Sequence, residues 1–171
     1  ISLFVTFVMI TGGIDIQAGS IVGLSSIVLG VAWQDGGMNI WAAVALAVAV
    51  SAVCGALSGY FVAYCGVQPM VVTLGGSFLF TGIALLVSNL SATESYKGIN
   101  GFPDSFLQLS RFKLFGIIPC QVLIFLALAV TAYILLNRTK YGRMIFLIGV
   151  NKEAAEFSGI NTRLVTMSTY I

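Results

Sequence analysis

The sequence predicts an all-α, polytopic membrane protein: a bundle of apolar helices with a broken or re-entrant helix near residues 12–20. Of its 171 residues, 58% are hydrophobic and 8% are charged, whereas soluble domains carry roughly 25% charged residues. The charges are also unevenly distributed, because none lies within 36–93 or 114–137. A membrane-spanning helix needs about 20 apolar residues, and these two gaps are long enough for several such helices.

The predicted membrane spans follow one another along the chain. We expect complete spans at 38–65, 69–90 and 114–137, a short apolar segment at 21–33, a partial span at 1–11 and the start of another at 164. Gly66 and Pro69 separate the first two complete spans, because neither residue favours an unbroken helix. The chain begins without Met inside one apolar run and ends inside another, so we expect one transmembrane domain over 1–171, truncated at both ends.

The basic residues indicate an orientation. Segment 138–163 holds five of the eight Lys and Arg residues, whereas 94–113 holds three, offset by Glu94 and Asp104. Short cytoplasmic loops collect Lys and Arg, so we expect 138–163 to be cytoplasmic and 94–113 to be periplasmic. The net charge of +2 and the scattered basic residues do not favour nucleic-acid binding. Three cysteines without any histidine do not favour a metal site.

The interruption near residues 12–20 is the first candidate for function. Gly12 and Gly13 loosen a helix, and Asp15, Gln17 and Ser20 break the apolar pattern. Irregular backbone at membrane depth persists only where it is buried in protein or lines a cavity. Asp15 either caps the following half-helix or serves a substrate or ion pathway, and a position at the membrane surface also fits the sequence.

Two further patterns concern packing between the spans. Thr73, Ser77 and Thr81 form a hydroxyl stripe at i, i+4 spacing. They either face a cavity or neighbouring protein, or bond back to their own helix. Together with the residues of the interruption they form the candidate substrate pathway. Small residues including Ser51, Gly55 and Gly59 recur at every fourth position, which predicts close helix packing within the bundle or in a dimer.

A short amphipathic helix is predicted in the basic segment 138–163. Asn151 is a favourable N-cap, Glu153 places a negative charge in the first turn, and Gly159 is a natural stop. Val150, Ala154 and Phe157 lie on one side of this helix. Because so short a helix is marginal alone, we expect it to dock on a surface.

This segment also carries a family resemblance. Glu153, Ala154 and Ala155 followed by Gly159 resemble the EAA-type motif of ABC importer permeases. Matching stretches along the chain resemble the ribose-type branch of the sugar importer permeases: "GGIDIQAGSIVGLSSIVLG", "VQPMVVTLGG", "GINGFP", "RTKYGR" and "IGVNKEAAEFSGIN". Within that branch, "ESYKGINGFPDSF" and "FLIG" are most similar to permeases of autoinducer-2 importers, with ribose, xylose and rhamnose permeases close.

The resemblance implies a fragment of a larger permease in the bacterial inner membrane. Such a permease pairs with a second permease subunit, as a homodimer or a heterodimer, contacts cytoplasmic ATPase subunits and receives its substrate from a periplasmic binding protein. It implies that this chain binds no cofactor, because ATP and Mg²⁺ are held by the ATPase. By position, the ATPase-coupling residues are Gly149, Asn151, Glu153, Ala154, Ala155, Phe157, Ser158 and Gly159. The 94–113 loop would lie on the binding-protein side.

The sequence fits two other classes of protein less well. An ion-coupled secondary transporter needs a titratable group within its spans. Asp15 is the acidic residue of this sequence that could fill that role. A membrane enzyme is not expected, since the sequence contains no Walker A, GxSxG or HExxH pattern and no histidine.

Overall fold

Apolar helices account for most of the structure, which is a computed structural model that describes residues 2–90, 113–114 and 118–171. The helices are α1 (Ser2–Ile10), α2 (Ala18–Gln34), α3 (Ile40–Ala63), α4 (Pro69–Leu90), α5 (Cys120–Arg138), α6 (Lys140–Val150), α7 (Lys152–Phe157) and α8 (Thr162–Thr169). Within these ranges three helices, α3, α4 and α5, are long and apolar enough to cross a membrane. The predicted helical membrane bundle is confirmed.

Two details differ from the sequence prediction. A pair of two-residue antiparallel strands, β1 (Lys113–Leu114) and β2 (Ile118–Pro119), adds a small exception to the all-α class. Because Pro119 is extended, at φ −63° and ψ 143°, α5 begins at Cys120 and not at 114. The predicted periplasmic loop lies almost entirely outside the described residues.

The helix break near residues 12–20 is present. Helix α1 ends at Ile10 and α2 begins at Ala18. Gly12 adopts φ +80°, a left-handed conformation that favours glycine. At 17 residues, α2 is longer than the predicted segment 21–33.

Two groups of helices share the core. Helices α2, α3 and α4 meet around Leu24, Cys54 and Phe80. Helices α1, α5, α6, α7 and α8 meet around a second set of buried side chains: Phe7, Ala132, Ile145, Ile148, Ala155 and Val165. Val8, Val62 and Tyr170 join the two groups.

Close backbone packing of α8 on α3 also joins the groups. A Cβ atom added at Gly59 would lie 2.9 Å from the carbonyl oxygen of Met167, and one at Gly55 would overlap the carbonyl oxygen of Tyr170. The ridge of small residues on α3 therefore packs within this chain, and α8 runs antiparallel to α3.

Candidate substrate pathway and coupling surface

Asp15 lies in the interruption and accepts a hydrogen bond from the backbone at the start of α2. Its Oδ1 accepts a hydrogen bond of 3.0 Å from the backbone N–H of Gln17. The N-cap position itself belongs to Gln17, whose side chain makes no capping bond. The carboxylate therefore stabilises the turn that leads into α2, two residues before the N-cap.

Gln17 forms a buried polar junction between three helices. Its side chain is 1% exposed, and Ser58 Oγ of α3 donates a 2.8 Å hydrogen bond to its Oε1. On α4, a Cβ atom at Gly76 would overlap the same oxygen. Within the described part of the chain, Gln17 Nε2 has no hydrogen-bond partner. Ser58 is not among the residues predicted from the sequence, although it neighbours Gly59 on the small-residue face of α3.

The hydroxyl stripe on α4 faces α2 and the interruption. Ser77 Oγ lies 2.8 Å from Ser20 Oγ, and Thr81 Oγ1 donates to Ser20 Oγ at 3.2 Å. Thr81 also bonds back to the Ser77 carbonyl at 2.7 Å. Fully buried Thr73 donates to the carbonyl of Ile14 at 3.0 Å. Both alternatives for this stripe occur together, because its hydroxyls bond to α2 and the interruption while Thr81 also bonds back to α4.

Substituting Ser58 by alanine should destabilise the fold modestly. The change removes a hydrogen-bond partner of buried Gln17. We expect the free energy of unfolding to fall by about 1 kcal/mol, which is the typical contribution of a hydrogen bond between membrane helices. Ser26→Ala is the matched control, because Ser26 is exposed and bonds back to the Val22 carbonyl. Thermal unfolding of both variants in detergent measures the effect, and equal melting temperatures would contradict it.

Two cavities flank the interruption. The larger, about 520 Å³, lies between α1, the start of α2 and α8, and its lining includes Phe4, Phe7, Asp15, Ser51, Tyr141 and Tyr170. The smaller, about 210 Å³, reaches the turn between α3 and α4, and Gly12 and Gly13 are among its lining residues. Asp15 is the member of the predicted pathway that lines the larger cavity.

Helix α7 has one buried side and one exposed side. The Asn151 side chain accepts a 3.0 Å hydrogen bond from the backbone N–H of Ala154, and Gly159 adopts φ +80° after the helix. Both confirm the predicted ends of this helix. Ala155 is buried in the core, whereas Val150 and Phe157 are 87% and 93% exposed. The structure thus presents an apolar surface beside α7 away from the bundle.

The predicted coupling residues do not all share that surface. Gly149, Asn151, Glu153, Ala154, Phe157, Ser158 and Gly159 are exposed. Ala155 instead anchors α7 to the bundle. Gly149 packs against α1, since a Cβ atom there would overlap the carbonyl oxygen of Ile10. Gly149 thus joins α6 to the helix that precedes the interruption, and Ala155 joins α7 to the buried cluster that Phe7 shares.

The titratable side chains do not assemble a metal site in the part of the chain that the structure describes. No group of three His, Cys, Asp or Glu residues lies close enough to hold an ion within 2–90, 113–114 and 118–171. Cys54, Cys65 and Cys120 are free thiols.

Several apolar helices long enough to span a membrane, an interrupted helix beside a cavity and a short exposed helix are the features of a multi-pass membrane transport protein. The chain belongs to the family described as branched-chain amino acid transport system / permease component, which matches residues 1–171. Family membership and the three apolar helices place it in the membrane as part of a multi-pass permease, as predicted.

Curated relatives refine this assignment. The chain is 41% identical over 160 residues to the autoinducer 2 import system permease protein LsrD of Yersinia pestis (strain Pestoides F), and equally to that of Yersinia pseudotuberculosis serotype O:3 (strain YPIII). Each alignment covers 94% of this chain and 47% of the relative, so the chain spans about half the length of the curated relatives it matches. The predicted resemblance is confirmed. No solved structure matches the chain.

Proposed function

We propose that the chain belongs to the membrane-spanning subunit of an ATP-binding-cassette importer for a small sugar-like molecule of the autoinducer-2 type. The 41% identity to autoinducer 2 import permeases over 94% of the chain carries this proposal. Ribose, xylose and rhamnose are the competing substrates. A periplasmic binding protein would deliver the substrate, and a second permease subunit would complete the path.

The exposed apolar surface at Val150 and Phe157 supports an ATPase partner. An aromatic side chain that is 93% exposed is suited to fill a pocket of another protein, as binding hot spots do. Ala155, on the side of α7 opposite to Phe157, is buried in the bundle. A movement imposed on Phe157 by a partner would therefore be passed through α7 to the bundle. ATP and Mg²⁺ would be bound by that partner, and hydrolysis would shift the permease between inward and outward arrangements.

Transport assays with the full-length protein test the proposal. Reconstituted with a partner ATPase and a periplasmic binding protein, the permease should accumulate labelled autoinducer 2 when ATP is supplied, and faster than labelled ribose, xylose or rhamnose. Uptake driven by a proton or sodium gradient without ATP would instead support the ion-coupled alternative. Faster uptake of one of the three sugars would reassign the substrate but keep the class of transporter.

Replacing Phe157 by alanine should separate the permease from its ATPase. Because truncating a central aromatic anchor commonly costs about 2 kcal/mol or more, we expect roughly a thirty-fold weaker association. Phe78→Ala is the matched control, since Phe78 is also exposed, at 73%, but lies on α4. Co-purification in mild detergent measures the difference. Equal ATPase retention by both variants would exclude Phe157 as an anchor.

A further inference from the structure

We propose that the junction between α5 and α6 binds the phosphate of an anionic phospholipid headgroup through Arg138, Lys140 and Arg143. The ligand is a membrane lipid and not the transported molecule. This inference goes beyond the proposed transport function and does not depend on it.

The three basic residues form a cluster without acidic neighbours in the sequence. They lie within 138–143, and no Asp or Glu occurs between Asp104 and Glu153. All three are exposed, and their side chains make no hydrogen bond or ion pair within the described part of the chain. Positive charges that lie together without compensation raise the local concentration of anions.

The cluster lies at the depth of lipid headgroups. At 1.5 Å per residue, the 19 residues of α5 extend over roughly 28 Å, close to the roughly 30 Å hydrocarbon core of a bilayer. Arg138 is the last residue of this helix, so it lies where the hydrocarbon ends and the headgroups begin. Tyr133, which is 63% exposed, precedes it on the same helix, and aromatic residues of this kind are enriched at the membrane interface.

Packing fixes the start of α6 against the end of α5. A Cβ atom at Gly142 would overlap a backbone carbonyl oxygen in the last turn of α5, so the two backbones are in direct contact. The Thr139 hydroxyl donates a hydrogen bond to another carbonyl of that turn and accepts one of 3.2 Å from the Gly142 N–H. Lys140 and Arg143 are thereby held beside the end of α5, at the same membrane depth.

Exposed apolar side chains next to the cluster provide a surface for acyl chains. Of the apolar stretch of α5, 6% is buried, compared with 28% for α3. Val130, Tyr133 and Ile134 are exposed on the turns that precede Arg138. A lipid whose phosphate binds the cluster can therefore lay its acyl chains along α5, whereas free inorganic phosphate gains nothing from this surface. The combination favours a phospholipid over a soluble anion.

The cluster is separate from the proposed docking surface for the ATPase. Lys140 and Val150 are the first and last residues of α6, so their backbones lie roughly 15 Å apart. The docking surface at Val150 and Phe157 is apolar, whereas the end of α6 beside α5 is basic. The two ends of α6 therefore suit different partners.

Lipid binding to the purified full-length protein tests the site. Native mass spectrometry during titration with phosphatidylglycerol in detergent measures the affinity for an anionic phospholipid, and phosphatidylcholine is the zwitterionic comparison. The double variant Lys140→Gln/Arg143→Gln should bind phosphatidylglycerol about thirty-fold more weakly, which corresponds to about 1 kcal/mol for each basic residue. Lys152→Gln/Arg163→Gln is the matched control, because it removes the same charge from exposed residues of α7 and α8. It should leave the affinity unchanged.

A second variant keeps the test independent of the folding of α6. Arg138→Gln changes only the end of α5 and should weaken phosphatidylglycerol binding about five-fold. Melting temperatures measured without added lipid should be the same for all variants and the unmodified protein, since substitutions of exposed residues change stability little.

Several outcomes would overturn the site. These are the absence of phosphatidylglycerol binding, equal weakening by the matched control, and phosphatidylcholine binding as tight as that of phosphatidylglycerol. Displacement of phosphatidylglycerol by an equal concentration of inorganic phosphate would assign the cluster to a soluble anion instead. Loss of the partner ATPase from Lys140→Gln/Arg143→Gln, with unchanged lipid binding, would assign it to protein docking. Because none of these measurements uses uptake, failure of the lipid site leaves the proposed importer untouched.

Discussion

Replacing Gly55 by leucine is expected to separate α8 from α3 and to cause a large loss of stability. A Cβ atom at this position would overlap the backbone carbonyl oxygen of Tyr170. A backbone atom cannot rotate aside as a side chain can, so α8 would have to move as a unit. We expect a cost at or above about 3 kcal/mol, the upper end for overpacking, against a total stability of about 5–15 kcal/mol.

The yield of monodisperse protein and its melting temperature in detergent measure this effect. Gly75→Leu on α4 is the matched control, since nothing lies within 4 Å of a Cβ atom added there. Gly59→Leu should resemble Gly55→Leu, because Gly59 faces the carbonyl of Met167 on the same interface. If the Gly55→Leu protein were as stable as the Gly75→Leu protein, the result would contradict the close packing of α8 on α3.

Local signals made the helices and their ends predictable. Long uncharged runs indicated the spans, and Asn151 and Gly159 marked a short helix because capping chemistry involves only neighbouring residues. The pair Gly12 and Gly13 with Asp15 indicated the interruption for the same reason. Each of these features depends on residues close together in the sequence.

Helix α6 was missed because the charges interrupt its apolar pattern. Lys140 and Arg143 made the segment resemble a cytoplasmic loop, yet Gly142, Ile145 and Ile148 are buried at helical spacing. A search for amphipathic periodicity would have found this helix. The hydrophobicity that identifies membrane spans does not detect it.

Contacts between distant segments were not predictable from one sequence. The ridge at Gly55 and Gly59 indicated a close neighbour but not which helix, and a dimer contact was an open alternative. Ser58 as the partner of Gln17, and Tyr170 beside Gly13, depend on how separate helices pack in space. Such pairs leave no local pattern in the sequence. The position of the candidate pathway near residues 12–20 was therefore predictable, but the side chains that contact it were not.

Replacing Gly149 by valine is expected to block transport while leaving the ATPase bound. Gly149 lies on α6 where a Cβ atom would overlap the carbonyl oxygen of Ile10, the last residue of α1. Valine would push α6 away from α1. Movement of α7 would then no longer be passed through α6 and α1 to the interruption. Phe157 lies on the exposed side of α7, so the proposed docking surface would be preserved.

The expected result is loss of most ATP-driven uptake, with continued ATP hydrolysis by the co-purified complex and a melting temperature lowered by roughly 6–12 °C, as for an overpacking cost of about 3 kcal/mol in a domain of this size. Gly82→Val on α4 is the control, because nothing lies within 4 Å of a Cβ atom there. Parallel measurement of uptake and hydrolysis in proteoliposomes distinguishes coupling from docking. Loss of the ATPase from Gly149→Val would show that this contact shapes the docking surface itself, and normal uptake would show that α1 does not transmit the motion.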